Sequence, residues 1–345
     1  MISAIKTLAY DDVLLVPQYS DIESRSKITL ESQLDDKISL SIPIISSPMD
    51  TVTGKDMLIA MAKQGGLGLV HRYNNIKQQT KIVEEAYETL EDGEHIGAAI
   101  GVTGDYLERA IALATRGVDI LCIDIAHGHH ILMERALKTI KDTIKNEIHI
   151  MAGNIATLEG FNDLVKWGAD SVRCNIGGGS ICSTRIQTGH GVPGLQTILD
   201  CSETHHNIPI IADGGIRSSG DAVKALAAGA SFVMLGSMLA GTDESPGDVI
   251  TRASNIKRKV YRGMASKEAQ FEWRGEYSSN EGISATVPYR GGVKYILADL
   301  NNGIKSGLSY TGARNIKELQ NKSEFIYQTP AGNAEGWTHI LRKSE

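Results

Sequence analysis

The chain has 345 residues, enough for one large α/β domain or two modest ones. Its 41% hydrophobic and 22% charged content is that of an ordinary globular enzyme, and a formal net charge of −6 argues against general nucleic-acid binding while leaving room for a nucleotide ligand. No uncharged apolar run reaches membrane-spanning length and MISAIKTLAYDD has no basic stretch ahead of an apolar core, so a cytoplasmic protein with reduced thiols is expected.

In chain order, short apolar runs rich in β-branched residues occupy Ile42–Met49, Gly66–Arg72, His95–Val102, Val118–Ala126, Ile148–Ile155, Ala169–Gly177, Ile208–Ile216 and Ala230–Ser237. Near-continuous runs of this kind suit strands buried on both faces of a parallel sheet. Between them, Tyr106–Gly117, Thr157–Gly168 and Ser219–Gly229 carry apolar residues three and four apart and end in glycine; Thr157 and Ser219 open theirs with a capping residue type. Eight strands with interleaved helices suggest a (β/α)8 TIM barrel, with a doubly wound open sheet as the alternative. Polar and glycine residues gather at the C-terminal ends of five of these strands, at Ser46–Asp50, Asp124–His127, Gly153–Asn154, Asp213–Gly215 and Gly236–Ser237, and this favours the barrel. The segment Phe271–Gly292 reads as a long mobile loop, a helix is expected near Ile296–Lys305, and the tail carries weak structural signals.

Of the four cysteines, Cys122 and Cys174 fall inside strand runs and Cys201 follows a helical run, so packing explains them. Cys182 stands in GGGSICSTRIQTGHGVPG, too rich in glycine for a core segment, and a thiol presented by such a loop can act as a nucleophile. No CxxC pair occurs, which argues against a zinc site. The double glycine after Asp213 and the Gly236–Ser237 pair close runs seven and eight, where barrels often hold phosphate on backbone amides. Ser180 could add a hydrogen bond there, and Asp213 is placed to accept from ribose hydroxyls; Asp124 and Asn154 suit a ribose or a carboxamide. The HGHH run matches no firm metal spacing and reads as polar loop.

The segments SSPMDTVT, IDIAHGH, MAGNIAT, GGGSICSTR, IADGGIRSSGDAVKALAAGA, MLGSMLAGTDESPG and VYRGMAS together resemble the IMP dehydrogenase/GMP reductase family, from about Tyr10 to the tail. The resemblance implies a single catalytic barrel over residues 1–345, with a flap at about 265–290, assembled as a homotetramer. Residues 74–94 leave no room for the paired CBS regulatory module that many dehydrogenases insert there. It implies a purine mononucleotide, GMP or IMP, with no nucleic-acid or membrane partner. The phosphate and ribose side would involve Ser180, Asp213, Gly215, Gly236, Ser237 and Tyr261, and Ser47, Met49, Gly263 and Met264 would also contact the nucleotide. Cys182 would bond covalently to purine C2, with the nicotinamide near Asp124, Asn154 and Arg173.

Two activities exist in the family, and the flap separates them. The dehydrogenase flap carries an adjacent Arg-Tyr pair that activates water; here Arg274 and Tyr277 are separated by Gly275 and Glu276. GEYSSNEG and RIQTG resemble the reductase, in which Thr184 and Glu281 would form the dyad that protonates departing ammonia. The expectation is NADPH-dependent reduction of GMP to IMP; the alternative is an IMP dehydrogenase using NAD, which SSPMDTVT, GAAIGVTGD and GTDESPGD resemble. AGNAEGWTH resembles a dehydrogenase tail that completes a potassium site, so K+ would be held by Gly177, Gly179 and Cys182 carbonyls with Glu335 and Gly336 of a neighbouring copy. Asn175 and Gly194 depart from the family pattern, which usually has glycine and glutamine there.

Overall fold

The computed structural model describes residues 7–145, 148–251, 256–278 and 280–338. Eight parallel strands close on themselves: β1 (Ile44–Ser46), β2 (Leu67–Val70), β3 (Ile96–Ile100), β4 (Ile120–Asp124), β5 (His149–Ile155), β6 (Ser171–Cys174), β7 (Ile210–Asp213) and β8 (Phe232–Leu235). Each lies inside the run expected for it. Closure comes from β8 pairing in parallel with β1, Val233 opposite Ile44 and Leu235 opposite Ser46. No strand of the sheet is left at an edge, so the fold is the (β/α)8 barrel and not the open sheet.

The strands are apolar throughout because both faces are covered. One face, with Ile45, Leu67, Leu69, Cys122, Met151, Ile211, Phe232 and Met234, fills the barrel interior. The other, with Ile44, Leu121, Ile123 and Val233, packs outwards on the helices. Successive strand residues point to opposite faces, which sorts the two sets. Leu34, Ile38 and Leu40, carried by the antiparallel Ser32–Gln33 and Ser39–Leu40 ribbon, join the interior cluster and plug its lower end.

The outer ring comprises α1 (Lys55–Lys63), α2 (Ile76–Tyr87), α3 (Tyr106–Ala114), α4 (Ile131–Ile144), α5 (Leu158–Lys166), α6 (Gly194–Ser202), α7 (Ser219–Ala227) and α8 (Val293–Tyr310). Thr157 caps α5 by accepting from the Gly160 amide, and Ser218, one residue before the expected start, caps α7 by accepting from Asp221. Cys201 lies within α6 rather than after it, and α8 extends the expected Ile296–Lys305 helix at both ends. Among the described residues, no helix is long and apolar enough to cross a membrane.

The stretch expected to be a loop from Phe271 to Gly292 is partly ordered into regular structure. Lys267–Arg274 is a helix capped by Ser266, and Ser284–Pro288 pairs antiparallel with Lys257–Arg262. Only Ala269 and Gln270 of that helix are buried, so it has almost no apolar stripe to read. Buried Lys259 ties this ribbon to the barrel by donating to the carbonyls of Thr242 (3.0 Å) and Ser245 (2.5 Å). In the tail, Phe325–Tyr327 pairs with Val13–Leu15 and Pro330–Glu335 is a short helix; the strand's partner lies at the opposite end of the chain, which local patterning does not reveal.

At the barrel's lower end, His149 Nδ1 lies 2.7 Å from Asp35 Oδ2, and its Nε2 lies 2.8 Å from Ser171 Oγ. The order Ser-His-Asp is that of a hydrolytic triad, but Ser171 is completely buried and has no access to a substrate. The set instead ties the Asp35 turn to β5 and β6. The hydrogen bond from His149 is the main reason the Asp35 carboxyl titrates at about 2, below its ordinary 3.8. The stabilisation from this ionised group is present above pH 3.8 and is lost as pH falls through about 2. Asp35→Ala leaves the buried imidazole short of a partner and is expected to lower unfolding free energy by about 1–3 kcal/mol in urea titrations at pH 6. The gap between wild type and variant is expected to narrow at pH 3.

Candidate active site

A cavity of about 270 Å³ opens at the C-terminal ends of the strands. Ser47 and Met49 follow β1; Asp124, Asn154, Arg173 and Asp213 stand at the ends of β4 to β7, and Gly236 follows β8. Gly177, Gly179, Cys182 and Thr184 enter from the loop after β6, and Tyr261, Gly263, Met264 and Glu281 from the ribbon and flap. Residues distant in sequence thus line one space.

Arg173 forms the floor. Its guanidinium is buried, 2.6 Å from Asp124 Oδ1 and 2.8 Å from Asp213 Oδ2, and Nη1 also reaches Cys122 Sγ at 3.4 Å, on top of the apolar interior. Asn154 Nδ2 donates to the same Asp213 Oδ2 at 2.7 Å and to the Asn175 carbonyl at 3.0 Å. The hydrogen bonds of Asp213 therefore fall on Oδ2, leaving Oδ1 for a ligand hydroxyl. Arg173, expected beside the cofactor, lines the cavity while it holds its two carboxylates.

The four cysteines divide as their sequence contexts suggest. Cys122, Cys174 and Cys201 are buried, whereas Cys182 is partly accessible. Burial pushes the Cys122 thiol up to about 12, which keeps it protonated. Cys182 Sγ lies 3.1 Å from Thr184 Oγ1. Its amide donates to the Gly179 carbonyl at 3.1 Å, folding the loop into a tight turn. Against that turn lies the double glycine after Asp213. Gly214 and Gly215 have φ of +86° and +79°, and a Cβ on Gly214 would stand 3.2 Å from the Gly179 nitrogen. Glycine is required there by backbone conformation and by close approach.

The flap adds a strand-like edge to the cysteine loop. Ser183 N donates to Glu281 O and Ile283 N to Ile181 O, both at 3.0 Å, so Cys182 faces Gly282 across an antiparallel bridge. Backbone pairing brings Glu281 into the same cavity wall as Cys182. On the other side, a Cβ on Gly236 would lie 2.8 Å from Tyr261 Oη and 3.1 Å from Ser47 Oγ. Burial raises Tyr261 to about 12 despite a hydrogen bond from Ser180, so its hydroxyl stays a donor.

Ser180, Gly215, Ser237, Glu335 and Gly336 lie outside the lining. Ser180 acts on the site through Tyr261, and Gly215 packs toward the Tyr10 ring. In the HGHH run, His130 caps α4 by accepting from Leu132 N and His129 lies 3.0 Å from Asp163; no cluster of metal-ligating side chains occurs among the described residues. Sequence reasoning assigned no role to Arg72, Tyr73 or Tyr10. Arg72 Nε lies 3.7 Å from Asp124 Oδ2 and is buried with no hydrogen-bond partner among the described residues. Tyr73 donates to the Met264 carbonyl at 2.6 Å, and its ring stacks on Trp273 of the flap at 4.2 Å. Arg72 and Tyr73 follow β2 on the face where chemistry was expected, a signal that was available; Tyr10 offers none.

Comparison with known proteins adds to this geometry. Residues 7–339 match the model of the IMP dehydrogenase / GMP reductase domain. An inosine-5′-monophosphate dehydrogenase of Nitrosopumilus maritimus is 37% identical, covering 96% of this chain and 98% of that protein. A GMP reductase of Leishmania major is 32% identical, covering 97% of each. The crystal structure of a cysteine-to-alanine variant of Trypanosoma brucei GMP reductase, in complex with guanosine 5′-monophosphate, superposes with a TM-score of 0.92 at 31% identity over 99% of both chains.

The crowding at Gly236 gives a direct test. Gly236→Ala is expected to weaken mononucleotide binding about tenfold, or about 1.4 kcal/mol, in a calorimetric titration, because its methyl group displaces the Tyr261 hydroxyl. Circular dichroism should be unchanged.

Proposed function

The chain belongs to the IMP dehydrogenase/GMP reductase family, and from that premise we propose that it is a reductase, converting GMP and NADPH to IMP, ammonia and NADP+. The observation that carries this reading is the flap. It is short, contains no Arg-Tyr dipeptide, and pairs with the cysteine loop so that Glu281 lines one cavity with Cys182 and Thr184.

In this reading the nucleotide enters with its phosphate toward Gly215, Gly236 and Ser237 and its ribose on Asp213. The thiolate of Cys182 adds to purine C2. The C2–N bond breaks, and ammonia leaves with a proton supplied through Thr184 and Glu281. A nicotinamide held near Asp124, Asn154 and Arg173 would supply the hydride that restores C2–H as the carbon–sulfur bond breaks. Arg72 lines the same cavity beside Asp124, which adds a cation to the wall on the expected nicotinamide side. The pinned phosphate holds the base within reach of the sulfur, so remote binding energy serves the chemical step. The Trypanosoma structure with guanosine 5′-monophosphate supports a purine mononucleotide as the ligand.

The second reading is oxidation of IMP to XMP with NAD, favoured by the 37% identity to the Nitrosopumilus enzyme. Mixing the protein with GMP plus NADPH is expected to lower nicotinamide absorbance, while IMP plus NAD leaves it flat; the reverse pattern establishes the dehydrogenase. Cys182→Ala is expected to lower kcat by about 10³-fold or more in either direction.

The same proposal includes the homotetramer and a potassium ion on Gly177, Gly179 and Cys182 carbonyls, completed by Glu335 and Gly336 of a neighbouring copy. Light scattering should report four chains. Replacing KCl by NaCl should lower kcat, and equal rates in the two salts would remove potassium from the scheme.

A further inference from the structure

Asn175 is the one residue of the cavity wall with a side chain and a positive φ, +127°, among the described residues. Glycine is the unstrained residue for that backbone. A side chain retained there points to work done by the side chain itself.

Its carboxamide is buried just beyond the β6–β7 pairing, where Cys174 lies opposite Ala212, and links that edge to the cysteine loop, which no strand pairing with β7 holds. Nδ2 donates to the Asp213 carbonyl at 2.9 Å and to the Gly214 carbonyl at 3.3 Å, gripping the turn that ends β7. Oδ1 accepts from Arg185 Nη2 at 3.3 Å. Arg185 follows Cys182 by three residues and lies back across the loop, donating from Nε to the Ile176 carbonyl at 3.2 Å and from Nη2 to the Val192 carbonyl at 2.5 Å. The space is fitted to this arrangement. A Cβ on Gly178 would fall 2.0 Å from Asn175 Nδ2 and one on Gly194 3.0 Å from it, while Cβ atoms on Gly177 and Gly191 would meet the Arg185 side chain at 2.5 and 2.6 Å. Asn175 and Gly194, the two departures from the family pattern noted in the sequence, are therefore one feature: the amide at 175 lies against the position where 194 has no side chain.

We propose that Asn175 is a positioning residue that, with Arg185, fixes the distance between the Cys182 loop and the Asp213–Gly214 turn, and so between the sulfur and the nucleotide. The inference rests on the reading of Cys182 as nucleophile. A brace between nucleophile and substrate anchor acts on the reacting geometry more than on binding, because a displacement of about 1 Å can cost a hundredfold in rate.

Asn175→Gly relieves the backbone but deletes the carboxamide's hydrogen bonds; the two effects oppose each other, and the variant is expected to remain folded. Asn175→Asp retains an acceptor for Arg185 but deletes both donated hydrogen bonds. Each variant is assayed in the direction the wild type runs, at a temperature where circular dichroism shows it folded. Both are expected to lose about 10- to 100-fold in kcat with KM for the nucleotide within about threefold, and alkylation of Cys182 by iodoacetamide should change rate. A purely structural residue would move Tm and leave kcat of the folded enzyme alone. If kcat of either folded variant stays within threefold of wild type, the proposal is overturned. Cys182→Ala, run in parallel, separates the two ideas: turnover retained there removes the nucleophile reading and this inference together, whereas turnover lost there with a fully active Asn175→Gly removes only the inference.

Discussion

The site is organised around one cation withdrawn from water. Arg173 is buried at the top of the barrel interior, and an unpaired guanidinium there would be strongly destabilising. Asp213 neutralises it from the neighbouring strand β7 and Asp124 from β4, two strands away on the other side, and Asn154 adds a hydrogen bond to the same Asp213 oxygen. The ends of β4, β5, β6 and β7 are thereby held in fixed relation. Everything a nucleotide would meet on that side of the cavity is referred to this ion pair. Cutting one partner would leave a buried charge without compensation, so the network is either complete or severely destabilising.

Around that rigid floor the remaining walls are made of backbone. The double glycine after β7 lets the cysteine loop approach to within contact of its amides, and the flap pairs with the same loop as a strand would. Hydrogen bonds between main chains fix position without depending on side-chain rotamers. They can also be broken and remade as a unit, which suits an element that admits a ligand. The aromatic stack of Tyr73 on Trp273 and the Arg262 bridge to both Asp50 and Glu272 hold the flap helix against the barrel.

Cavity chemistry follows from accessibility. Four thiols share one molecule, yet three are enclosed, and burial at Cys122 opposes ionisation so strongly that it cannot compete as a nucleophile. The lower end of the barrel shows the same principle in reverse. Asp35, His149 and Ser171 have the contacts of a catalytic triad, but the plug of Leu34, Ile38 and Leu40 keeps Ser171 from any substrate. Geometry without access leaves a structural tie.

The sequence alone marked the eight strands, favoured the barrel over the open sheet, and singled out the one partly accessible cysteine. Each of these is written locally, as runs of β-branched residues, glycine stops, or a thiol among glycines, and each lies within a window of about ten residues. Asp124, Asn154 and Asp213 were legible as strand-end residues, because the barrel puts all strand ends on one face, whereas Arg173 entered only through the family resemblance. Only the tertiary structure decided what they do to one another: that Arg173 is held by two carboxylates, that Asp213 has one oxygen already occupied, and that Asn175 fills the space left by Gly194. The flap strand and the strand of the tail were illegible for the same reason. Their order comes from partners far away in the chain, Lys257–Arg262 for the flap strand and Val13–Leu15 for the tail, and pairing between distant segments leaves no periodic trace in either one.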